Sequence, residues 1–302
     1  MIDRSETLVT VFGGSGFIGR YVCESLLRAG VRLRVAARDP RDAYFLQPLS
    51  EVGQLGRVRA DITSRDSVAK AVTGADSVIN LCGAFRNMQA VHVDGAGIIA
   101  EEAKAAGAPA LVHVSAIGAD PWSASDYGRT KGEGEALVRA AFAEATIVRP
   151  SLVFGPEDQL TNRFAALGRF PVVPVLAART RFQPVYVRDL GEALAKAALS
   201  PKAHGGKVYE IGGPETFSMI ELHRAIYAVT GQDPDLVELP HFAGTVLSAF
   251  GFLPGAPLTR DQWIMLQQDN VAAPGALGLA AFGIEPAPLA AVAGEWLDRF
   301  HG

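Results

Sequence analysis

The feature that most constrains this chain lies within its first thirty residues. An apolar run, Leu8-Val9-Thr10-Val11-Phe12, passes directly into Gly13-Gly14-Ser15-Gly16-Phe17-Ile18-Gly19. Ile18, Val22 and Leu26 then recur at helical spacing as far as Gly30. Glycine is frequent, 32 of 302 residues, so a three-glycine spacing carries little weight by itself. Its placement carries the argument, because a strand, a glycine turn and a helix in that order build a cradle for a dinucleotide pyrophosphate. Gly13, Gly14 and Gly16 let the backbone turn tightly and approach the phosphates, and Gly19 lets the helix close on the strand. The N–H groups around Ser15, Phe17 and Ile18 then face the anion at the positive helix end.

The first half repeats that grammar. Leu33–Ala37, Val58–Ala60, Ser77–Leu81, Leu111–Val114 and Thr146–Val148 are short, β-branched or apolar runs, giving six expected strands with the first. Patterned helices separate them at Ser67–Val72, Ile98–Ala106 and Ala136–Phe142. Alternation at this spacing predicts an α/β fold, a doubly wound parallel sheet with right-handed crossovers.

The end of the second strand discriminates between dinucleotides. An acidic residue there suits the adenine-ribose hydroxyls of NAD, and an arginine suits the extra phosphate of NADP. Here Ala36-Ala37-Arg38-Asp39 supplies both types with Arg38 first, and Arg20, directly after Gly19, is placed to reach the same phosphate. NADPH is therefore the expected cofactor, in preference to NADH. Asp61, followed by Ile62 at the end of the third strand, suits either the adenine amino group or the cap of the next helix. Asn80-Leu81-Cys82-Gly83-Ala84 at the end of the fourth strand is expected to line the ribose and nicotinamide side, with Leu81, Cys82 and Gly83 nearest the nucleotide.

Strand five ends in Val114-Ser115, and Tyr127-Gly128-Arg129-Thr130-Lys131 follows about a dozen residues later. At i and i+4 of a helix Tyr127 and Lys131 share a face, so the ammonium is placed to lower the phenol pKa and let it exchange a proton with a substrate oxygen. Ser115 is placed to polarise that oxygen.

After Pro150 the pattern changes, which divides the chain into a nucleotide-binding unit over residues 1–150 and a smaller α+β unit over 151–302. Pro150, Pro156, Pro171, Pro174 and Pro184 punctuate short apolar runs, and helices are expected again at Asp189–Leu199, Ser218–Val229 and Leu289–Phe300. This second part shows no strand-helix repeat of its own, apart from a return toward the first sheet near residues 183–199. Phe242 to Leu258 is 17 residues without a charge. Leu239, Phe242, Val246, Leu247, Phe250 and Leu253 at helical spacing fit a face on a core; the sharper alternative is a docking surface for a membrane-embedded partner or the bilayer interface.

Composition excludes several classes. With 28 basic and 32 acidic residues the net charge is -4, which offers no basic face for nucleic acid. Cys23 and Cys82 are too few for a disulfide framework and fit a reducing compartment. Six scattered histidines lack metal spacing, so no metal is expected; His113 is expected as a packed strand residue, and Trp122, Trp263 and Trp296 as packing anchors. The N-terminal residues lack the apolar core of a secretion signal, and no transmembrane segment is expected. A cytoplasmic protein follows, soluble or peripheral to the inner membrane.

With the glycine loop, Ser115, Tyr127 and Lys131 in that order, the chain resembles the short-chain dehydrogenase/reductase superfamily in its extended and atypical branches, which implies a Rossmann domain and assigns Ser115, Tyr127 and Lys131 as the catalytic set. Arg149-Pro150-Ser151-Leu152-Val153-Phe154-Gly155-Pro156 is similar to the turn by which extended members leave the last Rossmann strand, which places Pro150 and Val153 beside the cofactor. Within the superfamily the likeness is to the nucleotide-binding accessory subunits of respiratory complex I. It rests on Gly16–Val22, Val78–Leu81, His113–Ser115, Phe154–Asp158, Gln183–Val187, Thr259-Arg260-Asp261-Gln262 and Gly283–Leu289. That likeness implies tightly held NADPH with a structural role, beside the quinone-reactive region near the membrane surface. The complete Ser-Tyr-Lys set leaves open an active NAD(P)-dependent reductase, 3β-hydroxysteroid dehydrogenase-like, on a small apolar substrate. The short Ser115–Tyr127 connection departs from the long loop of sugar-nucleotide epimerases and counts against such substrates.

Overall fold

The computed structural model describes residues 5–251 and 258–301. Its centre is a seven-stranded, wholly parallel sheet built from β1 (Leu8–Phe12), β2 (Arg32–Ala37), β3 (Leu55–Arg59), β4 (Ser77–Asn80), β5 (Ala110–Val114), β6 (Thr146–Pro150) and a later strand, β11 (Val208–Ile211). The order β11-β6-β5-β4-β1-β2-β3 reverses direction between β1 and β4, where a doubly wound sheet opens its ligand crevice. Helices α1 (Phe17–Arg28), α2 (Arg65–Val72), α3 (Gly95–Ala105) and α4 (Asp126–Ala141) connect the strands of the first half. The expected α/β class is what the chain adopts.

The strand residues sort by parity onto two cores. Val9 and Val11 join Val35, Val112 and Val148 on the face covered by α1. Phe12, Ala36, Val78 and Leu111 lie on the other face beneath α2, α3 and α4. Each fully buried aliphatic side chain contributes roughly 1.5–3 kcal/mol over leaving it in water. That is why the apolar runs of the central strands β1, β4 and β5 hold the middle of the sheet buried on both sides, while edge strand β3 is only half-buried to exposed.

The second half is more closely woven into the sheet than its sequence suggests. After β6 the chain forms β7 (Val153–Phe154), α5 (Leu160–Leu167), β8 (Val172–Val175), β9 (Arg181–Phe182) and β10 (Val185–Tyr186). Helix α6 (Val187–Leu199) then lays Leu190, Ala193 and Leu194 onto the α1 side of the sheet. After α7 (Pro201–His204) comes β11 (Val208–Ile211), which pairs in parallel with β6. The return expected near residues 183–199 is present as β10 and α6, and β11 extends it into a full crossover that the sequence did not show. Only four residues long, β11 alternates buried and half-buried positions, too short a pattern to stand out. The remaining elements are β12 (Phe217–Ser218), α8 (Met219–Thr230), β13 (Asp235–Glu238), α9 (His241–Ala249), α10 (Arg260–Met265), α11 (Leu289–Val292) and α12 (Gly294–Leu297).

Other local expectations shift for identifiable reasons. Helix α4 begins at Asp126, ten residues before the patterned stretch, because Gly128, Gly132 and Gly134 interrupt its periodicity. Gly134 is required by close approach: a Cβ there would lie 1.8 Å from the His92 carbonyl oxygen. That carbonyl belongs to a π-helical turn, Gln89–Asp94, preceding α3. The expected helix at Leu289–Phe300 is broken into α11, α12 and a 3-10 turn, with Gly294 at the break and Trp296 and Leu297 turned into the core. The stripe on α9 faces outward rather than onto a core, with Phe242, Val246 and Phe250 at 69%, 54% and 56% exposure. Gly244 and Ser248 form its buried side; Leu253 lies outside the described residues. Trp122 is 91% exposed and anchors no core, whereas Trp263 and Trp296 are buried.

Candidate nucleotide-binding site

The glycine loop leaves β1 at the crevice. Gly13 takes φ +79°, and a Cβ on it would lie 3.2 Å from the Leu81 carbonyl carbon, so the loop rests against the end of β4. Gly19 is the tightest of the set, since a Cβ there would sit 2.2 Å from the Gly13 oxygen. Gly16 N–H donates to that same oxygen at 3.0 Å, and Ser15 lies within the turn so closed. Helix α1 starts at Phe17 with no side-chain cap and no acidic residue in its first turn. Its first N–H groups and positive end are left for an anion. Phe17 and Ile18 are half-buried, with Phe17 edge-on to Tyr21 at 6.3 Å.

At the ends of β2 and β3 the charges are arranged asymmetrically. Asp39 is held by Arg41 through a 2.7 Å ion pair and a 3.0 Å bond from the Arg41 N–H, and these bonds lower its pKa to about 2. Arg38 is exposed and makes no hydrogen bond or ion pair among the described residues. Arg20 is committed elsewhere: it pairs with Glu157 at 2.8 Å and stacks over Phe45 at 4.4 Å. Asp61 Oδ1 accepts from the Thr63 N–H and hydroxyl at 3.0 and 2.8 Å, forming a turn rather than the cap of α2, which begins after Ser64. Those bonds, with Arg38 nearby, lower the Asp61 pKa. Ile62 is half-buried and packs where a Cβ on Gly95 would otherwise stand.

The other end of the crevice gathers Ser115, Tyr127 and Lys131. Lys131 is buried, and its Nζ donates to the Val114 carbonyl at 3.1 Å, next to Ser115. Nζ lies 6.0 Å from the Tyr127 ring centroid, and a Cβ on Gly83 would be 3.7 Å from it. Ser115 Oγ is buried without a hydrogen-bond partner among the described residues. Burial lowers the Lys131 pKa to about 8 and pushes Tyr127 up to about 12. The ammonium therefore does not lower the phenol pKa in this state: desolvation outweighs it across 6.0 Å. Cys82, also raised by burial to about 11, donates its N–H to Asn80 Oδ1 at 3.0 Å. The Pro150 carbonyl accepts from Ile117 at 3.1 Å, and Val153 is half-buried in β7.

Two histidines join this end, of which His92 carried no sequence signal. His92 accepts the Ala84 N–H on Nε2 at 3.0 Å and meets the Thr130 hydroxyl on Nδ1 at 2.9 Å. Because that hydroxyl donates to the Asp126 carbonyl at 2.7 Å, His92 carries its proton on Nδ1. It ties the β4 loop to α4, edge-on to Tyr127 at 5.3 Å, while Phe85 stacks on Tyr127 at 5.1 Å. His113 is packed within β5, as expected. Asn80 Nδ2 lies 3.2 Å from its Nδ1, and its buried Nε2 has no partner. Burial and the Lys131 charge lower both imidazoles to about 3, so both are neutral.

Comparison with known proteins agrees with this geometry. A family model described as NAD(P)H-binding matches residues 13–166. The chain is 35% identical over 305 aligned residues to the rat mitochondrial NADH dehydrogenase [ubiquinone] 1 alpha subcomplex subunit 9, covering 98% of this chain and 81% of the rat protein. It is 33% identical over 270 residues to the ceramide reductase of Caulobacter vibrioides, covering 85% of this chain and 82% of that one. Among solved structures, the NADPH-dependent quinone oxidoreductase QOR2 of Escherichia coli, complexed with NADPH, superposes with a TM-score of 0.77 at 18% identity, covering 97% of this chain and 100% of that one. The chain belongs to the NAD(P)H-binding, short-chain dehydrogenase/reductase-like family that includes the alpha subcomplex subunit 9 of NADH dehydrogenase, and it binds a dinucleotide.

Proposed function

We propose that the protein holds NADPH, in preference to NADH, as a resident nucleotide and serves as an accessory or assembly subunit of a respiratory NADH:quinone oxidoreductase, peripheral to the cytoplasmic face of the membrane. The observation that carries this reading is the end-to-end likeness to the rat subunit, 98% of the chain at 35% identity. The exposed apolar stripe of α9 supports it as a surface for a membrane-bound partner. No helix among the described residues is long and apolar enough to cross a membrane, so attachment through such a surface fits. The free Arg38 beside the neutralised Asp39 supports NADPH, because the residue that would favour NAD is already engaged. Mild detergent extraction of native membranes carrying the tagged protein tests the assembly: copurification with the oxidoreductase is expected, and recovery as a lone protein sinks it. Titration with both nucleotides tests the preference, and equal affinities refute it.

The similarity to ceramide reductase favours a second reading, an NAD(P)-dependent reductase of an apolar substrate with Ser115 and Tyr127 at the reacting oxygen and Lys131 holding the nucleotide. Substrate-dependent NADPH oxidation that is lost in Tyr127→Phe would establish it over the first.

A further inference from the structure

We infer that Asp261, on α10, is a positioning residue that sets the nicotinamide end of the site by holding the N-terminus of α4 from a distant part of the chain. A helix leaves its first N–H groups without internal partners. In α4 the Ser125 hydroxyl takes the Gly128 N–H at 2.9 Å, and the Asp261 carboxylate takes two more: Asp126 N–H at 2.6 Å and Tyr127 N–H at 3.2 Å. The second donor is the backbone of Tyr127 itself, so a displacement of α10 is a displacement of Tyr127, and one turn on, of Lys131. A carboxylate at this end also complements the helix dipole.

The clamp is braced on its far side. Thr259 and Gln262 form a capping box that fixes the start of α10. Trp263 is buried and lies against Gly244 of α9, where a Cβ would come within 2.4 Å of its ring. The Leu266 carbonyl accepts from Thr180 at 2.8 Å, Asp269 pairs with Arg181 at 2.7 Å, and Asn270 accepts from Ser151 Oγ at 2.7 Å at the end of β6. Residues 259–270 thus form a strut from α9 to the strand end beside the crevice. The glycine loop leads into α1 and Arg38 follows β2, and neither these residues nor those two elements make a hydrogen bond to that strut among the described residues. Loss of the clamp should therefore weaken the nicotinamide half alone.

The inference rests on the assignment of Tyr127 and Lys131 to the nicotinamide end, and the experiment separates the two. Dissociation constants are measured in the full chain for NADPH and adenosine 2′,5′-bisphosphate, and in parallel for NADH and AMP, so cofactor preference does not enter. Asp261→Ala should weaken the whole dinucleotide about tenfold, the size of a lost helix cap, and the fragment less than about twofold. Asp261→Asn keeps a neutral acceptor and should fall between; it carries the test if Asp261→Ala does not fold. Bound nicotinamide fluorescence at saturation should change in the same order. Equal weakening of dinucleotide and fragment, or none, overturns the inference. Lys131→Met is the control. If it leaves the dinucleotide-to-fragment ratio unchanged, the site assignment falls and the inference with it; if it changes the ratio while Asp261→Ala does not, only the inference falls.

Discussion

Lys131 is a buried cation whose burial can be measured as stability. Its pKa falls from an ordinary 10.5 to about 8 through desolvation, and no carboxylate is among the causes acting on it. That drop corresponds to about 3 kcal/mol favouring its neutral form in the folded state. Below about pH 8 both folded and unfolded chains carry the proton, and the nucleotide-free fold bears the whole penalty. Between about 8 and 10.5 the unfolded chain binds the proton and the folded chain does not, so stability from this group rises with pH and levels off above 10.5. Lys131→Met removes the charge and keeps much of the volume, at the cost of leaving the Val114 carbonyl unpaired, about 1 kcal/mol. The variant should therefore be more stable than wild type by about 2 kcal/mol at pH 7, and the difference should vanish or reverse by pH 10. Urea denaturation without nucleotide, at intervals across that range, reads the difference directly. Comparing variant with wild type cancels the opposite trend from buried phenols and thiols, such as Tyr127 and Cys82, which stay protonated when their unfolded counterparts ionise. A variant less stable at pH 7, or a difference that does not change with pH, refutes the reasoning.

Three further outcomes follow from the geometry. Arg38→Ala should weaken NADPH binding by about tenfold and NADH binding little, read by parallel fluorescence titrations; equal losses would remove Arg38 from phosphate recognition. Gly19→Ala places a Cβ 2.2 Å from the Gly13 oxygen, so it should abolish nucleotide binding and cost more than about 2 kcal/mol in denaturation. Phe242→Ser with Phe250→Ser should leave the melting temperature within about 2 °C, because both rings are mostly exposed, and should release the protein from washed membranes; retention counts against docking through α9.

The sheet was legible because its central strands, β1, β4 and β5, are buried on both faces. Apolar runs such as Val9–Phe12 and Ser77–Asn80 need no partner information to be recognised, and Gly13 to Gly19 announces the turn that joins strand to helix. Less legible was anything depending on a distant neighbour. The glycine-rich first half of α4, with Gly128, Gly132 and Gly134, lacks helical periodicity until the His92 carbonyl is placed against Gly134. The outward stripe on α9 has the same spacing as an inward one; what decides its direction is Trp263 filling the space over Gly244. His92 left no pattern, and the roles of Asn80 and Asp261 were hidden although both stood in recognised segments, because His92 bonds Thr130, Asn80 meets His113 and Asp261 holds Asp126 and Tyr127, all far away in sequence. The Tyr127 and Lys131 pair was visible at i and i+4, but its electrostatics were not, because burial has no sequence signal at that spacing.

Those electrostatics bear on which redox form the crevice holds. Tyr127 is held protonated, His92 and His113 are held neutral, and no carboxylate acts on the Lys131 ammonium; the one acidic group that does, the Cys82 thiol, is held protonated near pH 7 by burial. An oxidised nicotinamide is a pyridinium cation, while the reduced ring is neutral; the phosphates are the same in both. Bringing a second positive charge within roughly 8 Å of Lys131 costs about 2 kcal/mol at an effective dielectric constant near 20. The reduced nucleotide should therefore bind at least about tenfold more tightly than the oxidised one near pH 7, which raises the potential of the bound couple by about 30 mV. The preference should fade above pH 8 as Lys131 loses its proton, and Lys131→Met should abolish it. Competitive titration of both forms measures this. Equal affinity for the two forms in the wild type would mean that a charge outside this cluster compensates the pyridinium, and a site built to retain the reduced form would have to be given up.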